Sequence, residues 1–325
     1  MPRADAARWP RLIRRLLPWL IAAGLLVFLV ARVPSADLEA ALARTSIIEL
    51  AAVAALFISL TLVADVTTLW VTFRYALPDQ RLGPVAVGEV RAASYLLQLV
   101  SFGAGQGDMV YLLKRHHGIG IGAGAGAILL ATGVSVIVIA GAVALGLGMG
   151  AVPDRPELRW LTIAVAAGIP IYLILIWVRP LFLARTRLLA PIFDAGVTGT
   201  VWIAAARAVH LSIAIGGHFV AMRMFGIQVP VEASIALLPV VFLIGALPLA
   251  PSGLGTTQAA AVTLFATFAT GATASSREAV VLSYSLAYQV LGTGASALWG
   301  LVGLRRLTAR DVNESNSLTT PADPS

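Results

Sequence analysis

The chain carries six long apolar runs, at about 16–33, 47–72, 121–149, 160–178, 200–222 and 279–304. A helix needs roughly 20 apolar residues to cross the hydrocarbon core of a bilayer. Lipid offers a backbone amide no partner, so only helices and closed barrels can span it. Runs of this length and composition are therefore read as spanning helices, and the expected fold class is an all-α integral membrane protein. The remaining composition agrees. Hydrophobic residues make up 58% of the sequence and charged residues only 12%, against about a quarter in soluble domains; mean hydropathy is +0.88.

The first run follows Arg3, Arg8, Arg11, Arg14 and Arg15 and so has the outline of a secretory signal. Its apolar stretch is long for a signal core, and Pro34 would stand three residues before a cut after Ala36, where a small residue is wanted. It reads as an uncleaved anchor. The tail, 307–325, is polar and rich in Ser, Thr, Pro and Asn, which predicts disorder on the cytoplasmic side. There are no cysteines, which excludes a disulfide framework, cysteine-ligated metal and a thiol nucleophile. Lys114 is the only lysine, so the formal charge of +7 is carried by arginine. On a membrane protein such an excess speaks of topology and lipid headgroups, not of nucleic acid.

Two further segments, 85–117 and 231–272, are broken by glycine clusters: Gly103-Ala104-Gly105-Gln106-Gly107-Asp108 and Gly253-Leu254-Gly255-Thr256-Thr257-Gln258. If each crossed the membrane once, Lys114, Arg115, Arg179, Arg185 and Arg187 would lie outside, against the tendency of basic residues to stay in the cytoplasm. If each enters, breaks and returns, those residues join Arg305, Arg306 and Arg310 inside. The expectation is about six spans plus two re-entrant hairpins in one domain, 1–306, with both termini cytoplasmic. The units 47–149 and 200–304 then have inverted topology, an architecture of secondary transporters whose broken helices mark the binding site.

In this reading short helices start near Asp108 and Thr257, with exposed amides and positive dipole ends suited to an anion. Gly103, Gly105, Gly253, Gly255, Thr257 and Gln258 are candidate binding positions. Asp108 has two readings, a plain N-cap and a substrate or proton group. Polar residues fall at helical spacing on three stripes: Arg91, Ser94, Tyr95, Gln98 and Ser101; Arg207, His210 and His218; Ser285, Gln289, Thr293 and Ser296, with Tyr284 and Tyr288 beside the last. Buried ionisable groups in a bilayer pair or face water, and the pairs suggested are Arg91 with Asp108 and Asp65 with Arg207. Arg91, Gln98, Arg207 and His210 complete the candidate site. The histidines suit a structural role better than a proton relay, and the adjacent His116 and His117 give no metal site. No strand precedes the Gly-x-Gly cluster, so it is not a dinucleotide fingerprint.

The two breaks, the second within Leu247-Pro248-Leu249-Ala250-Pro251-Ser252-Gly253-Leu254-Gly255, resemble those of the lysylphosphatidylglycerol synthase transmembrane, or flippase-like, family, from about Leu42 to Arg306. The resemblance implies a lipid-flipping membrane domain. The chain departs from the family pattern at Gln258, where a Glu is expected, at Ser101-Phe102, which lack a Pro, and at Tyr111, which replaces an Arg. It reads as a stand-alone membrane domain with no transferase attached and hence no enzyme activity. The expected function is transport of a phospholipid or other lipid-linked anionic headgroup across the cytoplasmic membrane, without a cofactor. The alternatives are a membrane scaffold for an envelope-synthesis enzyme and an integral-membrane lipid enzyme. Membrane lipids are the expected partners; a second copy or an envelope-synthesis enzyme is the protein partner the sequence leaves open.

Overall fold

The computed structural model describes residues 35–43, 45–150, 156–247 and 250–319, together with Gly24, 27–29 and Ala31. The apolar run 16–33, the arginines before it and the end of the tail, 320–325, lie largely or wholly outside the described residues. All the elements are helices: α1 (Ser35–Ala43), α2 (Ile47–Ala76), α3 (Pro84–Gln98), α4 (Phe102–His117), α5 (Ile121–Gly148), α6 (Pro156–Val178), α7 (Leu181–Ala184), α8 (Ala190–Met224), α9 (Val231–Ala246), α10 (Thr256–Phe265) and α11 (Ala274–Thr319), with 3-10 turns at Pro251–Gly253 and Ala266–Phe268. Helices α2, α5 and α8 are long and apolar enough to cross a membrane. The last helix runs on to Thr319, past the point where composition suggested an unstructured tail.

Local chemistry sets the helix ends. Ser46 caps α2 by accepting from the amide of Glu49 at 3.4 Å. Pro84 stands in the first turn of α3, where its missing N–H costs nothing. Helix α4 starts at Phe102, capped by Ser101, whose hydroxyl accepts from Ala104 N at 3.1 Å. It ends at Gly118 (φ 68°), with Ile119 N donating back to Leu113 O at 3.3 Å, a glycine-terminated C-cap.

Helices α2 and α8 run antiparallel in close contact: Gly217 lies against Phe57 and Gly199 against Tyr75, a Cβ on either being 2.8 Å from the facing side chain. Two further crossings repeat one pattern. Gly146 of α5 sits on Ala236 of α9, and Gly303 of α11 sits on Ala93 of α3. Small residues allow such backbone approach, and in a bilayer that packing is a main source of helix association. Thus α5 crosses α9 and α11 crosses α3 at small residues.

Each broken segment folds back on itself. Leu77, Val87, Leu113 and Ile119 gather the ends of α2–α5 into one buried cluster. At the far end of α2, Leu50 and Ala54 join Ile227, Val241, Phe265 and Val281 in a second. Gln228 N donates to Phe268 O at 2.9 Å, closing α9 and α10 at their outer ends. The two largest buried clusters among the described residues thus lie at opposite ends of the long helices, one around each helix pair.

Candidate functional site

Between the two clusters lies a cavity of about 550 Å³, lined from α2, α3, α4, α5, α8, α9, α10 and α11. The three polar stripes meet there. Arg91, Tyr95 and Gln98 line it from α3, Arg207, His210 and His218 from α8, and Ser285, Gln289, Thr293 and Ser296 from α11.

Asp65 of α2 is the hub. Its Oδ2 accepts from Nε of Arg91 and its Oδ1 from Nη1 of Arg207 at 2.9 Å; His210 Nδ1 is 3.7 Å from the same Oδ1. Asp65 is 3% exposed and Arg91 6%. Arg91 is held further by Ser94 Oγ at 3.2 Å and by the face of Tyr95, 4.6 Å from its guanidinium carbon. An isolated buried charge is expensive and a paired one tolerable, so the single carboxylate lets two arginines stand at this depth. Two arginines against one carboxylate leave one positive charge in the cavity wall. Three buried polar atoms of the lining have no hydrogen-bond partner among the described residues: Arg207 Nε, His210 Nδ1 and Gln98 Oε1.

The hairpin tips meet beside this cavity. Ser252, at φ 50°, donates its hydroxyl to the carbonyl of Leu99, with the Gln98 carbonyl 3.5 Å away. Behind it Gln289 Nε2 donates to Ser252 O at 3.1 Å, and Gln258 Nε2 donates to Gln289 Oε1. Gln258 Oε1 accepts from Gly255 N at 2.6 Å. Gly253 (φ 69°) has no room for a side chain: a Cβ would stand 2.6 Å from Thr257 Oγ1 and 2.9 Å from Gly245 Cα. Thr256 and Thr257 donate to its carbonyl at 2.9 and 2.8 Å.

Helix α10 starts, as expected, beside Thr257, which lines the cavity. Gln258 is fully buried, caps that helix and does not reach the lining. The first glycine cluster is a correction. Gly103, Gly105 and Gly107 all lie inside α4, and the break falls ahead of them at 99–101, because Ser101 offers an N-cap oxygen where the glycines offer none. Gly105 serves close approach instead: a Cβ there would lie 2.7 Å from Gln98 Cβ, whereas Gly103 faces open space. Asp108 is consequently in the second turn of α4, neither its cap nor part of the cavity lining. The suggested partner of Arg91 changes with it, since Asp65 takes both Arg91 and Arg207. Ser252, set among glycines in the second break, is the residue that makes the junction.

A bundle of long apolar helices with a charged but largely apolar cavity between two broken helix pairs defines a polytopic membrane domain. The chain belongs to the family described as the lysylphosphatidylglycerol synthase TM region, which matches residues 15–300. No curated protein matches it.

Proposed function

We propose that the protein is a transporter or flippase that moves a phospholipid or other lipid-linked anionic headgroup across the cytoplasmic membrane, with no chemical step. The observation that carries this reading is the pair Arg91 and Arg207, both on the cavity wall and sharing one carboxylate. The excess charge calls for an anion, and Arg207 Nε is a buried donor without an acceptor. A cavity of about 550 Å³ falls within the range of small-molecule sites, roughly 300–1,000 Å³, and would hold a headgroup while acyl chains stay in the bilayer.

The arrangement proposed is six spans plus two re-entrant hairpins, α3–α4 and α9–α10, in units of inverted topology. Its support is the placement of ends. Arg310 of α11 pairs with Glu89 in the second turn of α3 at 2.8 Å, and Gly122 at the start of α5 lies against Arg187. Segments carrying Lys114, Arg115, Arg185, Arg187 and Arg310 gather at one end, while Arg223 stands at the other, and this balance supports assigning the first to the cytoplasm. At the other face Thr45 Oγ1 donates to Met224 O at 3.3 Å. The paired crossings Gly146 on Ala236 and Gly303 on Ala93 are what a two-fold axis in the membrane plane would generate, and two such units rocking about a shared site give alternating access.

Purified protein in vesicles containing fluorescent phosphatidylglycerol tests the reading. A membrane-impermeant quencher should bleach lipid from both leaflets in vesicles with protein and from the outer leaflet alone in empty ones. Equal bleaching in the two would contradict transport and favour a scaffold.

A further inference from the structure

We infer that the cavity selects a singly charged phosphodiester lipid whose remaining headgroup is uncharged and bears hydroxyls, such as glycerol or a sugar, and selects against amino headgroups. This rests on the transport-site reading and adds the class of headgroup to it.

Charge decides the first half. Among the described residues the charged groups of the lining are Asp65, Arg91 and Arg207, with His210 and His218 as the imidazoles. Both oxygens of Asp65 are engaged by the arginines, so no carboxylate is left for an ammonium. With the imidazoles neutral, one phosphate charge cancels the excess. A zwitterionic headgroup leaves that excess in place, and a headgroup with two amines increases it, in surroundings where charges interact far more strongly than in water. Apart from Phe102, every aromatic ring of the lining already contacts another ring or a guanidinium. Tyr95 takes the Arg91 guanidinium, while His218, Tyr284 and Tyr288 pack on one another with centroids 4.6 to 6.3 Å apart.

Hydrogen bonding decides the second half. Three of the lining hydroxyls spend their protons on their own helices: Thr132 to Ile128 O at 2.9 Å, Ser135 to Ala131 O at 2.7 Å and Ser285 to Leu282 O at 3.0 Å. Their oxygens remain as acceptors. Gln98 Oε1 is a buried acceptor with no donor. These acceptors beside one excess cation match a ligand that is anionic at phosphorus and donates from hydroxyls. Leaving a buried acceptor unmet is unfavourable, so a headgroup lacking the donor binds less well.

The test is binding of short-chain lipids to the purified full-length protein, read as a shift in melting temperature across a concentration series. Phosphatidylglycerol and phosphatidylinositol represent the glycerol and sugar sources. Phosphatidylethanol has the same charge and no hydroxyl; phosphatidylethanolamine and lysyl-phosphatidylglycerol carry amines. The expected order puts phosphatidylglycerol or phosphatidylinositol about tenfold or more ahead of the other three, and whichever of the two is tighter names the source. Gln98→Leu should bring phosphatidylglycerol and phosphatidylinositol binding down to the level of phosphatidylethanol. Equal binding of all five lipids, or tightest binding of an amino lipid, would overturn this inference and leave the transport reading standing, provided Arg207→Gln still weakens binding. No binding of any lipid, or binding indifferent to Arg207→Gln, would overturn both.

Discussion

The hydroxyl of Ser252, in the break of the second hairpin, donates to the backbone carbonyl of Leu99, in the break of the first. One side chain thus joins the two places where helical hydrogen bonding is interrupted, and it satisfies a carbonyl that the end of α3 leaves open. Ser252 holds left-handed backbone to do so, a conformation disfavoured for a residue with a side chain.

Removing this contact should loosen the tips without unfolding the bundle. Ser252→Ala is expected to cost about 1 kcal/mol, the usual net worth of one hydrogen bond. Amide hydrogen exchange should rise in peptides covering 95–104 and 250–258 and stay unchanged in α2 and α8. Unchanged exchange at 95–104 would show that the contact does not hold the tips.

The charge cluster makes an ordered set of stabilities. Arg91→Gln leaves Asp65 paired with Arg207, and Arg207→Gln leaves it paired with Arg91, so either variant should fold. The double variant strands a buried carboxylate, which costs about 3–5 kcal/mol, and should be lost from the membrane. Adding Asp65→Asn should restore it. Membrane abundance and thermal unfolding in detergent check the order, and a stable double variant would contradict the hub.

The glycines of α4 should behave in opposite ways. Gly103→Ala meets open space and should stabilise by roughly 0.5–1 kcal/mol, the helix penalty of glycine. Gly105→Ala places a methyl 2.7 Å from Gln98 Cβ, so α4 must move off α3 and the melting temperature should fall. Similar behaviour of the two variants would count against the close approach.

Much of the site can be read from spacing alone. Arg91, Tyr95 and Gln98 fall on one helical face, as do Arg207, His210 and His218, and all six line the cavity. Helical period is a local property, so the sequence displays it. The break in the first hairpin is less legible because glycine in a membrane helix has two uses, to interrupt and to allow close approach, and composition does not distinguish them. Ser101, an N-cap type next to the cluster, marks the true boundary. Asp65 could be matched with Arg207 but not with Arg91, because α2, α3 and α8 converge only in three dimensions. The second break announces itself more clearly: Gly253 needs positive φ and Pro251 cannot continue a helix.

Topology gives a further expectation. Cysteines placed at Arg115 and Arg185, one at a time in a chain without native cysteine, should both react with an impermeant thiol reagent only from the cytoplasmic side. Labelling of either from outside intact cells would contradict the re-entrant hairpins.

Arg207→Gln tests the proposed transport most directly, because it removes one cavity cation while Asp65 keeps Arg91. The rate of phosphatidylglycerol movement in reconstituted vesicles should fall about tenfold, which corresponds to 1.4 kcal/mol of lost headgroup interaction, with the melting temperature little changed. Lipid movement at the wild-type rate in a variant of wild-type stability would contradict the assignment of the arginine pair to an anionic headgroup.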